Sequence, residues 1–422
     1  MKAARLTVSP TSLIGCTMRE SAPFLYSVSP MADHLLLESF GRNSDVATES
    51  RAPKSPRDAF LQVTYPLSRD ELLKNSVTDF SNWSSFRLGK FYEVVDALTA
   101  DVSYRHCGDI HGVDTTLVTA GHYHSRKLQR TSLEEDLVVR SYVTSVGTSS
   151  MEVRTDAIQQ VDGEETLLNV CHTVMVALDK DSGRSFGKAG RSIPDLLLET
   201  EDAHDRLELA DQHNKIRRKR AEEIMQLRSP ISHPPTQEEF EELHKLHQDQ
   251  RAALDCGDKA SLPLRVEDYT FRSSTIIFPE SRNVHGKLFG GFVMEESEKL
   301  AQYTARFFAG GRHVVPLGID EALFHQPIAI GDCVTFTARL IQSTGFACRV
   351  LVVVETRDPT DPSRVPLRSD RLMFVYGGSD LPQVIPETYS EILMHVDARR
   401  RQTVEGPSQE YVESILAEMK ND

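Results

Sequence analysis

The chain has 422 residues and carries 48 Lys and Arg against 62 Asp and Glu, a formal net charge of −14. That balance excludes a general nucleic-acid binder, whose electrostatic footprint is basic, and 39% hydrophobic with 26% charged residues is the composition of a soluble globular protein. No apolar run reaches the roughly 18 residues a membrane-spanning helix needs, so no integral membrane segment is expected.

The first 19 residues, MKAARLTVSPTSLIGCTMR, hold Lys2, Arg5 and Arg19 among Ser and Thr with no acidic residue. This is the composition of a mitochondrial transit segment, with an ordinary Ser-rich terminus as the alternative. Residues 1–56 are expected to form a leader outside the fold. Six dispersed cysteines (Cys16, Cys107, Cys171, Cys256, Cys333, Cys348) without a Cys-x-x-Cys pair point to a reducing compartment and to neither a zinc site nor a disulfide framework.

Residues 57–192 read as a first domain. In KFYEVVDALTADVSYRH, residues Phe91, Val94, Val95, Leu98 and Val102 recur at helical spacing. From Leu117 onward TTLVTAGHY, DLVVRSYVTSVGTSSMEVRTDAI and LLNVCHTVMVAL, parted by Gly147 and by Asp162-Gly163, predict an antiparallel meander. His106, His111, His122 and His124 cluster here, and the last two share a face if that segment is extended. Without a Cys or carboxylate at ligand spacing, no metal site is predicted.

Across residues 193–262 strand patterning disappears. RLELADQHNKIRRKRAEEIMQL and TQEEFEELHKLHQDQRAAL read as exposed linker helices separated by SPISHPP. The basic run Lys215 to Arg220 is flanked by acids and reads as a solvated face, as do His244 and His247 on their Glu- and Gln-rich helix.

Residues 263–396 repeat the first order: a helix, FGGFVMEESEKLAQYTARFF, then HVVPLGIDEALF, DCVTFTARLIQSTGFACRVLVVVET and SDRLMFVYGG as strands. TSVGTSSMEV echoes QSTGFACRVLV, and TVMVALD echoes LMFVYGG, which implies duplication at a long period. Residues 397–422 are expected as a C-terminal tail. The predicted class is α+β: two units in tandem, each a long helix wrapped by an antiparallel sheet, paired so that each covers the other's open edge and helix face.

The chemistry concentrates in NVHGKLFGGFVMEESEKLA, residues 283–301. A helix start offers backbone N–H groups without intrahelical partners and a field that favours negative charge. Gly290 and Gly291 would let a substrate carbonyl approach that backbone. Asn283 brings an amide able to orient a water, and His285 is a supporting binder. Glu298, two turns into the helix among apolar neighbours, is a carboxylate that is expensive to bury unless hydrogen-bonded or functional. The plainer alternatives are a solvent-facing Glu298 beside Glu295 and Glu296, and an Asx turn at Asn283. No Gly-x-Ser-x-Gly elbow, phosphate loop or dinucleotide fingerprint is present.

The stretch resembles the Asn-x-x-Gly-x-x-Phe-Gly-Gly-x-x-Met signature, followed by an acidic residue, of hot-dog-fold acyl-coenzyme A thioesterases. With its duplication, charged connector and leader, the chain is similar to the mitochondrial double hot-dog branch over most of Leu61 to Val396. The resemblance implies two hot-dog domains in tandem. It implies hydrolysis of fatty acyl-CoA to fatty acid and coenzyme A, with no cofactor beyond the coenzyme A of the substrate and no nucleic-acid partner. A mitochondrial matrix location and a homo-oligomer, with a trimer as one form, also follow from it.

In that family the site lies between paired hot dogs, with an Asn from one and an acid from the helix of the other. Asn283 takes the Asn slot and Glu298 the acidic slot of the second copy. In the first copy FRLGKFYEVVDALTA aligns Gly89 with Gly291 and Asp96 with Glu298, while Ser81, Asn82 and Ser85 compete for the Asn slot. The Asn283/Asp96 site is therefore expected to be the competent one, and the Glu298 site weakened or structural. The carboxylate would act as a general base on water, or as a nucleophile. Lys287, Arg282 and Arg312 are candidates for the coenzyme A phosphates. The alternatives are a hot-dog hydratase or dehydratase using His285 with Glu298, and a non-catalytic acyl-CoA-binding scaffold.

Overall fold

A computed structural model describes residues 52–197 and 230–418, apart from 80, 81, 110–112, 130, 162, 231, 232, 257–263, 284 and 362–365. Residues 1–51 of the expected leader, Ser81, His111 and the Lys215 to Arg220 run lie outside the described residues; Lys54, within the expected leader, is instead buried in the fold, its Nζ donating to Arg105 O at 2.5 Å.

Each half is built on one 20-residue helix, α2 (Leu88–Cys107) and α4 (Gly290–Ala309), each closed by a left-handed glycine, Gly108 and Gly310. Nearly all of α2 is buried, and α4 buries Val293, Met294, Ala301, Ala305 and Phe308 along one face. The first half supplies strands β1 (Leu61–Tyr65), β2 (Thr115–Lys127), β3 (Leu137–Val146), β4 (Ser150–Val161) and β5 (Glu164–Asp179). The second supplies β6 (Thr270–Ile276), β7 (Val314–Phe324), β8 (Cys333–Ser343), β9 (Ala347–Arg357) and β10 (Leu367–Gly378). β3 alternates buried and half-buried residues along its whole length, the period-two pattern of a strand with one face on a core.

All ten strands join one sheet in the order β1-β3-β4-β5-β2-β7-β10-β9-β8-β6. The order reads the same from either end once the halves are exchanged, so the duplication is structural as well as sequential. The seam is the antiparallel pair β2 and β7, with Ala322 opposite His122 and Leu323 opposite Gly121. Gly318 sits in that seam at φ +149°, and a Cβ there would lie 1.9 Å from the Ser125 carbonyl oxygen. Only glycine lets the two backbones approach so closely. The expectation that pairing covers an open edge is met at β2 and β7. Each half is thus a helix wrapped by antiparallel strands, the hot-dog plan.

Three features depart from the sequence reading. Each half begins with a strand before its helix, β1 and β6; TFRSSTI is mostly exposed and lacks apolar alternation, so β6 leaves little periodic trace. A short helix α1 (Glu71–Val77), capped by Asp70 accepting from Leu73 N–H, precedes α2. The segment expected as a tail holds helices instead. The chain runs through α5 (Tyr389–Glu405), which starts with a Thr388/Glu391 capping box, into α6 (Gln409–Glu418). Val412, Ile415 and Leu416 of α6 pack on Val315, Leu317 and Val375 of the second half's sheet. In the linker, α3 (Gln237–Cys256) docks on α5 through Arg400, whose Nε and Nη2 reach the Glu239 carboxylate at 2.8 and 2.9 Å.

Candidate functional site where the two central helices meet

α2 and α4 cross through their N-terminal halves, so that the start of each lies against the second turn of the other. A Cβ on Gly291 would stand 2.9 Å from Glu93 Cα, and one on Gly89 would stand 3.3 Å from Glu295 Cα. The paired positions share the 202-residue offset read from the sequence (291 against 89, 295 against 93). Charge locks the approach: Glu295 accepts from Arg87 at 2.6 Å and from Lys90 at 2.8 Å. Burial pushes its carboxyl up, but Lys90, Lys299 and Arg87 outweigh burial and hold it below its ordinary value.

The crossing yields two acid-bearing corners. At the first, Asp96 of α2 reaches the start of α4. Its Oδ2 accepts from Gly291 N–H at 2.9 Å, and its Oδ1 accepts from the Thr119 hydroxyl at 2.9 Å. His122 Nε2 lies 3.5 Å from Oδ1. Asp96 is 4% exposed, and these two donors satisfy both of its carboxylate oxygens. Gly290 makes the approach possible, because a Cβ there would fall 2.8 Å from Oδ2. Gly291, expected to stabilise an oxyanion, instead gives its N–H to the acid.

Asn283, His285 and Lys287 lie on the loop that feeds α4. Asn283 Oδ1 accepts from His285 N–H at 2.9 Å and from Lys287 N–H at 3.1 Å, closing the turn at Gly286, which sits at φ +69°. The carbonyl end of the Asn283 amide is therefore held inside the loop. The side-chain hydrogen bonds of Asn283 stay within its loop, while those of Asp96 run to Gly291 and Thr119. His285 Nε2 pairs with the Tyr104 hydroxyl at 2.8 Å, and that hydroxyl also accepts from Leu117 N–H. Burial first, then nearby Lys180, pushes the His285 pKa down. Arg282 and Lys287 are exposed on the same loop. Arg312, also exposed, lies elsewhere: its Nη1 donates to Ala309 O at the opposite end of α4, about 30 Å along a helix of 20 residues.

At the second corner Glu298 of α4 faces the start of α2, its Oε2 lying 3.2 Å from where a Gly89 Cβ would stand. Here the polar support is missing. Oε1 receives only a long 3.4 Å contact from the Tyr376 hydroxyl, and Oε2 has no hydrogen-bond partner. Burial, then the negative charge of Asp79, pushes the carboxyl up to about 8, which leaves it largely neutral at neutral pH. Where the first corner has Gly290, this one has Leu88 at the same offset. Leu88 helps line a pocket of mixed character, with Phe91, Leu137 and Leu168 beside Lys127 and Asn169. Ser81 lies outside the described residues, and the side chains of Asn82 and Ser85 are not described. His285 and Glu298, the acid–base pair of the hydratase alternative, turn to different partners.

Sequence reasoning missed Thr119 and treated His122 only as a metal candidate. Three residues apart, they fall on opposite faces of a regular strand. A register shift between Thr119 and Gly121 against β5 brings both to Asp96. His106 bonds instead to Pro194 O. Among the described residues no group of three or more His, Cys, Asp or Glu is placed to hold a metal ion, and no helix is long and apolar enough to cross a membrane.

No family model matches the chain. It is 25% identical over 390 residues to mitochondrial acyl-coenzyme A thioesterase 9 of Bos taurus, covering 88% of this chain and 83% of that one. It is 26% identical over 385 residues to mitochondrial acyl-coenzyme A thioesterase 10 of Mus musculus, again covering 88% and 83%. Among solved structures, a putative oleoyl thioesterase of Lactobacillus plantarum aligns over 76% of this chain and 96% of its own, at 8% identity and a TM-score of 0.44.

Proposed function

We propose, starting from the similarity of the chain to mitochondrial acyl-coenzyme A thioesterases over 88% of its length, that it is an acyl-CoA thioester hydrolase acting at the Asp96 corner. The observation that carries the assignment to this corner is the 2.9 Å bond from Gly291 N–H to Asp96 Oδ2, which sets one half's acid at the other half's helix start.

Asp96 is the general base. It takes a proton from a water whose oxygen adds to the thioester carbonyl, and the tetrahedral intermediate expels the coenzyme A thiolate, leaving the free acid. With Gly291 committed to Asp96, the neighbouring Gly290 N–H and the positive end of α4 are assigned to the developing oxyanion. The Asn283 carbonyl is held in its loop, so its amide N–H is the end assigned to the water or substrate. Arg282 and Lys287 are assigned to coenzyme A phosphates, with His285 lining the same loop. Glu298, neutral and lacking donors, takes no part as a base. Fatty acyl-CoA as substrate and the mitochondrial matrix as location belong to the same reading. So does assembly of protomers into trimers, for which the exposed aromatic patch of Tyr303 and Phe307 against Phe271 offers apolar surface.

Release of free thiol from a saturated acyl-CoA tests the activity. A hydrolase liberates it, a hydratase has no double bond to act on, and a scaffold binds without turnover. Single turnover in 18O-water separates base from nucleophile: direct attack by Asp96 places label in its carboxylate.

A further inference from the structure

His122 has no role in the steps above, yet its imidazole is 0% exposed and sits beside the acid. Nδ1 is 2.8 Å from the Thr173 hydroxyl, while Nε2 has no hydrogen-bond partner and lies 3.5 Å from Asp96 Oδ1. A buried ring nitrogen without a partner is unfavourable unless the site uses it. The groups facing the ring come from three elements besides its own strand. These are Asp96 of α2, Thr173 and Cys171 of β5 (the Cys171 Sγ 4.0 Å from Nδ1), and Phe324 of β7 edge-on at 5.9 Å. Of these, Asp96 is the acceptor suited to an N–H donor on the Nε2 side.

We propose that His122 is a positioning residue for Asp96, its Nε2–H holding Oδ1 so that the carboxylate stays anchored between Gly291 and Thr119 while it takes the proton from water. The Thr173 hydroxyl donates to Nδ1 and thereby selects the tautomer that carries the proton on Nε2. The 3.5 Å separation is the long form of a bond that tightens when substrate closes the corner, as ligand-free catalytic geometry often shows. The second corner supports the same logic by contrast: Glu298 has no imidazole, and one of its oxygens has no donor. This inference rests on the hydrolase reading and deepens it.

The test compares wild type, His122→Phe, His122→Gln and Thr173→Val on a saturated acyl-CoA across pH. His122→Phe should lower kcat roughly 10- to 100-fold, the range for losing a hydrogen bond to a charged group, with KM little changed and the acid limb of the pH–rate profile moved to higher pH. His122→Gln, which restores an N–H donor, should recover most of kcat and return the limb. Thr173→Val, which keeps the ring but frees its tautomer, should fall between and serves if the Phe variant does not fold. Unchanged kcat and acid limb in His122→Phe overturn the proposal, as do equal losses in the Phe and Gln variants with an unmoved limb. If wild type releases no thiol, the hydrolase reading fails by itself. The His122 proposal is then decided by 13C titration of the Asp96 carboxyl, where an unaltered midpoint in His122→Phe sinks it and a raised one supports it.

Discussion

The two corners of the helix crossing share an offset, a helix position and a facing glycine, yet they surround their acids with different partners. Asp96 meets a backbone N–H at 2.9 Å, a threonine hydroxyl at 2.9 Å and a histidine edge. Glu298 meets only a tyrosine at 3.4 Å, and burial, then the charge of Asp79, pushes it up to about 8. Burial is nearly equal, 4% against 1% exposed, so the corners differ in the donors that surround each acid rather than in how deeply it lies.

The largest break in that contrast should come from Asp96→Asn, which removes the base and should cut kcat by about 10²- to 10⁴-fold, while Glu298→Gln leaves steady-state thiol release unchanged. Equal losses in both would mean two working corners. Next comes Gly290→Ala: its methyl would press on Asp96 Oδ2 at 2.8 Å, and a displaced base should lower kcat up to about 100-fold. Leu88→Ala, at the equivalent place, should spare turnover.

Glu298 then sharpens the comparison through stability. Its folded pKa, about 8, lies above its ordinary 4.5, so the stability gained by burying it neutral is complete below about pH 4.5. That gain is lost as pH climbs through about 8. Glu298→Gln should be more stable to unfolding than wild type at pH 8, by on the order of a few kcal/mol, and the gap should close by pH 5. Asp370, also pushed up to about 8 by burial, keeps some of the slope in both proteins. The smallest effect is expected on the loop. Lys287→Ala should raise KM roughly fivefold, about 1 kcal/mol for an exposed charge, and Arg312→Ala, at the far end of α4, should leave KM for the Asp96 corner unaltered.

Both central helices and the duplication were legible because a buried face at 3.6-residue spacing and a repeated element order survive in one sequence. The match of Asp96 to Glu298 followed from the family resemblance and the alignment of Gly89 with Gly291 at the same offset. β6 was not legible, since an exposed edge strand needs no apolar alternation. The two terminal helices went unread because they pack on the sheet through short stretches such as Val412, Ile415 and Leu416. Thr119 and His122 converge only because a bulge breaks the strand period, and a bulge has no residue code of its own. The double glycine was read correctly as a place of close approach, but not that the approaching group would be the acid itself.

The seam of β2 and β7 makes one polypeptide of what two identical copies could build as a symmetric dimer. In such a dimer any change at one corner would be forced on the other. Covalent fusion removes that constraint, so Leu88 can stand where the other corner has Gly290, and Glu298 where it has Asp96, within one molecule.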